Sequence, residues 1–283
     1  PQEEWLEEVW YGKLKEVIDK YRPDIIWFDL WLDQIPESLR QKFCSYYLNS
    51  ALEWNKEVAI VTKLAQIPHT VSVDDLEKSR KNELGEVPWM SDETISMGSW
   101  CYTENLQIKE AKDVLHVVID ITSKNGVLLL NVSPRADGTM PQDQRDVLLK
   151  MGGWLEKYGE AIYGTRPRYT FGEGPVKEPP GHFTHHKEFL NIRYSAKDIR
   201  YTTRGDTIYA TLLGRPDPGS VLQLASFAAD SLPRPLEIRK VGLLGADLPV
   251  EWALERDGLS LTVPEAEMNE MAVVFRIMTG KAH

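Results

Sequence analysis

The sequence has few cysteines, no long hydrophobic run and no excess of positive charge, and each of these absences excludes a class of protein. Cys44 and Cys101 are far apart and form neither a CxxC pair nor a disulfide framework. No stretch of about 18 or more apolar residues occurs, so we expect no membrane-spanning helix. The 33 basic and 43 acidic residues give a formal net charge of −10, which disfavours nucleic acid and anionic membranes as partners.

The chain also starts without an initiator methionine and without the basic-then-apolar pattern of a signal peptide. We therefore expect a cleavage or processing point there, and cytoplasmic, periplasmic and secreted locations all stay open. The 283 residues, 42% hydrophobic and 27% charged, are typical of a soluble globular protein with one large or two smaller domains. The nine tryptophans, about twice the usual share, suit sugar binding but more often belong to cores or interfaces.

Over residues 1–165, amphipathic helices alternate with short, unbroken apolar runs. Such runs predict strands covered on both faces, as in a parallel sheet, and the order predicts an α/β domain with three or four strands. Residues 64–105 are polar and acidic without periodicity, which predicts a long functional loop. The predicted strands are 25–28, 58–61 and 127–132, and the predicted helices are 4–21, 36–51, 111–121 and 141–158.

From residue 166 onward, short alternating runs are separated by turns such as Arg204-Gly205-Asp206. This pattern predicts a C-terminal β-sandwich domain over 166–283. The Gly/Pro-rich stretch 172–181 predicts a linker or cover loop. The predicted strands are 190–194, 199–203, 207–213, 221–224, 236–241, 260–263 and 272–277.

Asp29 directly follows the first predicted strand. The carboxyl ends of parallel strands are where α/β sheets and barrels place their active sites, so Asp29 is a candidate catalytic carboxylate. The alternative is that it merely closes the strand or caps a turn.

The stretch PDIIWFD (23–29) resembles the nucleophile strand of the α-L-fucosidases of glycoside hydrolase family 29. This resemblance implies a partial (β/α)8-type barrel followed by the β-sandwich. It also implies retaining hydrolysis of terminal α-L-fucosyl residues in a fucosylated oligosaccharide or glycoconjugate, with no cofactor and no metal. The resemblance continues through 73–80, 87–102, 123–141 and 152–165, and more weakly through 181–189 and 197–214.

A retaining mechanism needs two carboxyl groups about 5–5.5 Å apart. By resemblance, Asp29 is the nucleophile. Many family members carry the acid/base in the long loop, a dozen residues before a tryptophan, and Glu77 precedes Trp89 by twelve positions. Glu77 is therefore the predicted acid/base, with a solvated loop charge as its alternative role. Because this loop varies, four other carboxylates are rivals for the acid/base: Asp74, Asp75, Glu83 and Glu86.

Trp27 and Trp100 match aromatic positions that the family uses against the apolar face and C6 methyl of fucose, and core packing is the alternative. Lys63 lies near where relatives carry a basic residue that faces the sugar hydroxyls, although a solvated lysine fits equally well. Three histidines could suggest a metal cluster, but they fall outside any predicted helix and no Cys or Glu accompanies them at ligand spacing, so they predict a polar cover loop. They are His182, His185 and His186.

The chain also departs from the family. A complete (β/α)8 catalytic domain takes about 250 residues, whereas about 165 precede the predicted sandwich. The family's first four strands, with the histidines and tyrosine that bind fucose, have no counterpart. A half barrel exposes sheet edges, so we expect a homo-oligomer or a complementing chain. The alternative function is a non-catalytic or weakly active truncated homologue that serves as a sugar-binding or assembly module.

Overall fold

The computed structural model describes residues 2–179, 191–231, 236–246 and 248–280. The chain forms two compact units, which we treat separately. The first unit comprises Pro1–Glu77 and Pro88–Met90, and the second comprises Lys78–Val87 and Ser91–His283. The predicted division between residues 165 and 166 stays a prediction.

The first unit packs helices against a parallel sheet. Pro23 and Pro36 place its helix boundaries: Arg22, just before the first proline, ends a helix with a left-handed φ of 47°, and Pro36 precedes the next long helix. The elements are α1 (Gln2–Trp5), a π-helical stretch (Leu6–Tyr11), α2 (Gly12–Tyr21), β1 (Ile25–Phe28), a 3-10 turn (Leu32–Gln34), α3 (Glu37–Glu53), β2 (Ala59–Lys63) and β3 (Val73–Asp75).

Strands β1, β2 and β3 are hydrogen-bonded in that order, and β3 pairs with the first residues of β4 (Trp89–Thr94). The core of the first unit lies where α2 and α3 cover the sheet, around Ile18, Phe43, Tyr47 and Ile60. Because the paired strands are parallel, their carboxyl ends lie at one edge of the sheet. Asp29, Lys63 and Glu77 therefore emerge at neighbouring strand ends.

The second unit contains the rest of β4 and its neighbour β5 (Gly126–Asn131), two helices and two antiparallel sheets. The sheets enclose a core that includes Tyr201, Leu259 and Phe275, none of which is exposed. This arrangement confirms the predicted partial barrel followed by a β-sandwich. The helices are α4 (Ala111–Ser123) and α5 (Gln142–Tyr158). The strands of the larger antiparallel sheet are, in order, β10 (Ile238–Leu243), β13 (Val273–Thr279), β8 (Thr207–Leu212), β7 (Ile199–Arg204) and β6 (Arg166–Glu173). Those of the smaller sheet are β11 (Trp252–Glu255), β12 (Gly258–Thr262) and β9 (Val221–Leu224).

The prediction of one long loop over residues 64–105 was wrong, because the stretch contains β3 and β4. Both strands are short and carry polar side chains that would normally indicate a loop. Their polar groups are buried with partners from neighbouring segments: the Ser91 hydroxyl, for example, donates to the Ser79 carbonyl at 2.7 Å. Tertiary hydrogen bonds, rather than an apolar pattern, stabilise these strands.

Two expectations for the C-terminal part also need correction. Of the predicted strand 190–194, residues 191–194 have no strand conformation, and Leu190 lies outside the described residues. The predicted linker 172–181 overlaps the end of β6, where Gly172 pairs with Arg200. A Cβ at Gly172 would collide with the Ile199 carbonyl oxygen, so this glycine permits close strand approach rather than marking a linker. His182, His185 and His186 lie outside the described residues.

A cluster of buried charges lies in the second unit, where α4 meets β7. Asp120 and Lys124, one helical turn apart, are completely buried, and their charged atoms are 2.8 Å apart. Arg200 Nε lies 2.5 Å from the other oxygen of Asp120, and Glu178 pairs with Lys124. Burial alone would raise the pKa of Asp120, but the positive charges of Lys124, Arg200 and Arg80 outweigh it and hold that pKa below its usual range.

Candidate active site

Asp29 stands at the carboxyl end of β1 in the first unit. Its side chain is 64% exposed, so the carboxylate is accessible to a substrate. The strand itself is fixed by parallel pairing with β2, in which Phe28 lies opposite Thr62. The candidate nucleophile is thus an accessible group on a rigid element.

Lys63 ends β2 and joins the two predicted catalytic carboxylates. Its side chain is almost fully buried, and its Nζ lies 3.1 Å from Asp29 Oδ1 and 2.6 Å from Glu77 Oε2. These two oxygens are therefore no farther apart than the sum of those distances, 5.7 Å. This limit is consistent with the separation of about 5–5.5 Å in retaining glycosidases and lies below the roughly 6.5–9.5 Å of inverting ones.

Glu77 follows β3 after Leu76, whose backbone N–H donates to the Met90 carbonyl at 2.9 Å. This bond fixes the chain just before Glu77. The Glu77 side chain is 14% exposed, much less than that of Asp29. The site therefore pairs one open carboxylate with one sheltered carboxylate.

The rival carboxylates occupy different positions. Asp75 is buried and accepts a 2.8 Å hydrogen bond from the indole Nε1 of Trp27. Asp74 accepts a 3.1 Å bond from the Ala65 backbone N–H. Glu83 and Glu86 belong to the second unit. The assignment of Glu77 as the acid/base remains a prediction, and its contact with Lys63 beside Asp29 favours it.

Trp27 lies on β1 with its indole held in place. Asp75 accepts from the ring nitrogen, and Lys63 Nζ lies 5.2 Å from the ring centroid. The sequence suggested Asp75 as an alternative acid/base; in the folded structure its carboxylate accepts a hydrogen bond from the Trp27 ring and so orients that ring. Only the folded structure brings these two side chains, 48 positions apart, together.

Trp100 belongs to the second unit, whereas Trp27, Asp29, Lys63 and Glu77 belong to the first. Its ring centroid lies 4.2 Å from Lys78 Nζ. Its backbone carbonyl accepts hydrogen bonds from Asn131 Nδ2 at 3.0 Å and from the Ser133 hydroxyl at 2.9 Å. Its predicted contact with substrate stays a prediction.

Within the described ranges, no three His, Cys, Asp or Glu side chains are grouped so that they could hold a metal ion. None of the helices in those ranges is long and apolar enough to cross a membrane. What the site offers is acid–base and nucleophilic chemistry by carboxylates beside an ammonium group.

Comparison with known proteins places the chain in a family. The model of the alpha-L-fucosidase family matches residues 1–160, more than half of the chain, and that of the alpha-L-fucosidase C-terminal domain matches residues 194–278. The chain belongs to the alpha-L-fucosidase family. The resemblance seen in the sequence is thereby confirmed.

Individual relatives in the alpha-L-fucosidase family are distant. Human tissue alpha-L-fucosidase is 25% identical over 273 residues, which cover 93% of this chain and 52% of the human protein. The rat protein is 24% identical, with 89% and 50% covered. The structure of Thermotoga maritima alpha-fucosidase in complex with fucose shares the fold, with a TM-score of 0.71, 23% identity, and 95% of this chain and 55% of that chain covered. The chain spans about half the length of the curated relatives it matches.

Proposed function

We propose that this protein is an α-L-fucosidase that hydrolyses terminal α-L-fucosyl residues of glycans with retention of configuration. Membership of the family supports the substrate class, as does the Thermotoga maritima structure with fucose. The upper limit of 5.7 Å between an Asp29 oxygen and a Glu77 oxygen supports retention. The position of Lys63 between these two carboxylates is the observation that carries the proposal.

In the first step, the Asp29 carboxylate attacks the anomeric carbon of the fucosyl group. The bond from that carbon to the leaving oxygen breaks, and Glu77 donates its proton to that oxygen. In the second step, Glu77 takes a proton from water, the water oxygen attacks the anomeric carbon, and the bond to Asp29 breaks. Two inversions give net retention.

Lys63 has a specific part in this sequence. Before the first step the negative charge is on Asp29, and after it Asp29 is esterified and the charge is on Glu77. The ammonium of Lys63 contacts both groups, at 3.1 Å from Asp29 and 2.6 Å from Glu77. It therefore lies beside the negative charge both before and after the first step. Such a fixed group can stabilise the transition state without reorganising.

Trp27 supplies an apolar surface beside these groups. Fucose carries a methyl group where related sugars carry a hydroxymethyl group, and an indole face favours the methyl. The hydrogen bond to Asp75 holds this face in one orientation. Trp27 is the proposed aromatic contact of the sugar in the first unit.

The proposed function is tested by Asp29→Ala, with Asp24→Asn as its matched control. Asp24 lies just before the same strand, is 78% exposed and pairs with Lys56. On an aryl α-L-fucoside we expect a loss of about 10⁴-fold or more for the Asp29 variant and parental activity for the control. Azide should restore turnover of the Asp29 variant by attacking the substrate directly, giving the inverted β-fucosyl azide. Parental hydrolysis by Asp29→Ala would overturn the nucleophile assignment.

The acid/base is tested by the same reagent. For Glu77→Ala the covalent intermediate still forms with an activated leaving group, and azide then attacks it to give the retained α-fucosyl azide. Matched alanine variants of Asp74, Asp75, Glu83 and Glu86 should show no such rescue. If one of them produces α-fucosyl azide and Glu77→Ala does not, that carboxylate is the acid/base.

We also propose that a second polypeptide chain, another copy or a complementing one, covers the edge of the parallel sheet at β1. Within the described residues, β1 ends the hydrogen-bonded order of the sheet, and Ile25 is 57% exposed. An apolar edge strand favours pairing with another chain. Sedimentation of the purified chain should give a mass above 32.3 kDa, and a stable monomer of that mass would contradict this proposal.

A further inference from the structure

The chain turns sharply just after Asp29 and presents an indole to solvent. Trp31 has a φ of 73°, a left-handed conformation that is rare outside glycine, and the residue is 68% exposed. Leu30, beside it, is 37% exposed. Strained backbone of this kind is concentrated at functional sites. An exposed tryptophan held in such a conformation contributes little to the core, so its position needs another explanation.

Gln66 holds this turn in place. Its side-chain oxygen accepts from the Leu32 N–H at 2.9 Å, and its amide nitrogen donates to Asp33 Oδ1 at 2.9 Å. Gln66 itself lies just beyond Lys63, after two residues that are also left-handed, Leu64 with a φ of 60° and Ala65 with a φ of 49°. The turns that follow Asp29 and Lys63 are thus both strained and joined by one side chain.

Trp31 is close to the reacting atoms by chain connection alone. Two residues of chain span at most about 7 Å, so the Cα of Trp31 lies within that distance of the Cα of Asp29. The leaving group lies on the face of the anomeric carbon opposite Asp29, and in a substrate with a terminal fucosyl residue it extends towards solvent. Asp29 and Trp31 are both exposed to solvent at this strand end. Trp27 already offers an oriented indole for fucose, whereas the Trp31 ring is free of a core role.

We propose that Trp31 is a binding platform for the sugar on the leaving-group side of the scissile bond, and that Gln66 is its positioning residue. This proposal rests on the proposed fucosidase function. The indole face stacks on the C–H face of a pyranose, as aromatic side chains do with apolar surfaces generally. The preferred substrate is therefore a fucosylated oligosaccharide rather than a fucoside with a small leaving group.

Two substrates with different leaving groups test the proposal. The leaving group of α-L-fucosyl fluoride is one atom, whereas that of a fucosyl disaccharide is a whole sugar. For Trp31→Ala we expect kcat/KM on the disaccharide to fall about tenfold or more relative to kcat/KM on the fluoride, chiefly through KM. Trp31→Phe should retain most of the preference, and Gln66→Ala should fall between. Trp5→Ala, a matched control at a tryptophan that is 58% exposed on α1, should leave the ratio unchanged.

The possible results distinguish this proposal from other roles of Trp31. Equal loss on both substrates, or no loss on either, would overturn it. A changed sedimentation mass of Trp31→Ala together with equal loss would instead make the indole a contact for another chain. If the parent protein turned over neither substrate, the proposed function would fail, and binding would then decide the inference. The intrinsic fluorescence of the parent should change with disaccharide, and this change should be reduced at least severalfold in Trp31→Ala; an unchanged response would contradict the inference.

Discussion

Two clusters of charged side chains use the same chemistry in opposite surroundings. In the first unit, Lys63 bridges Asp29 and Glu77, and Asp29 is 64% exposed. In the second unit, Asp120 is completely buried between Lys124 and Arg200. A buried charge has lost its contact with water, and this desolvation costs free energy. Only its ion-pair and hydrogen-bond partners offset that cost. We call Asp29, Lys63 and Glu77 the open cluster and Asp120, Lys124 and Arg200 the closed cluster. The open cluster leaves a carboxylate accessible to react, whereas the closed cluster connects a helix to a strand.

The largest expected effect on stability is in the closed cluster. Asp120→Ala leaves buried cations without their central counter-charge, so we expect the free energy of unfolding to fall by about 3–5 kcal/mol. Denaturant unfolding followed by circular dichroism measures this change. Asp113→Ala on the same helix, where the side chain is 29% exposed, should cost less than about 1 kcal/mol. Equal costs for the two variants would remove the distinction between open and closed charges.

A second expected effect is pH dependence near the closed cluster. Burial lowers the pKa of His116 to about 4 from 6.5, although a hydrogen bond to the Met271 carbonyl acts in the opposite direction. Between pH 6.5 and about pH 4, His116 therefore binds a proton in the unfolded chain but not in the folded protein. Stability from this residue is complete above pH 6.5 and is lost as the pH falls towards about 4, by about 3 kcal/mol in total.

The unfolding free energies of the parent and of His116→Gln, measured between about pH 7 and pH 4, isolate this contribution. Gln keeps a donor for the Met271 carbonyl but does not titrate in this range. The parent should lose about 3 kcal/mol more than the variant across the interval. If the unfolding free energies of the two proteins changed in parallel with pH, His116 would bind a proton as readily in the folded protein as in the unfolded chain, and the prediction would be wrong.

The smallest of these effects belongs to the open cluster and is one of rate. Lys63→Met removes the charge between the carboxylates, and we expect kcat to fall by about 10²-fold, which corresponds to about 2.7 kcal/mol in activation free energy. Lys56→Met, whose lysine pairs with Asp24 before the same strand as Asp29, is the matched control and should retain kcat. A large loss of folding stability with unchanged kcat would assign Lys63 to structure rather than chemistry.

Much of the fold follows from the sequence, and the exceptions have a physical cause. Unbroken apolar runs identify β1, β2 and β5, and helical spacing identifies the four longer helices. The same rules miss Val73–Asp75 and Trp89–Thr94, since these strands bury polar groups. In β4, for example, the Thr94 hydroxyl donates to the Ser99 carbonyl at 3.2 Å. A pattern of hydrophobicity carries no signal for strands that are stabilised in this way.

The candidate site shows a similar division. Asp29 is predictable, because a carboxylate at the end of a buried strand is a local feature of the chain. The bridge through Lys63 is not, because it joins Asp29 and Glu77 across separate segments of the chain. Neither is the left-handed backbone of Trp31, next to which Gln66 accepts a hydrogen bond from the Leu32 N–H. Distances between strand ends and strained turns are properties of the folded molecule.

The central claim is that Asp29 forms a covalent bond to the anomeric carbon of fucose. A fucosyl fluoride with a second fluorine at the sugar's C2 tests it, because the electron-withdrawing substituent slows both steps while the fluoride leaving group still permits the first. Peptide mass spectrometry of the inactivated protein should then find one fucosyl adduct on Asp29. An adduct on another side chain, or continued inactivation of Asp29→Ala by the same reagent, would contradict the account.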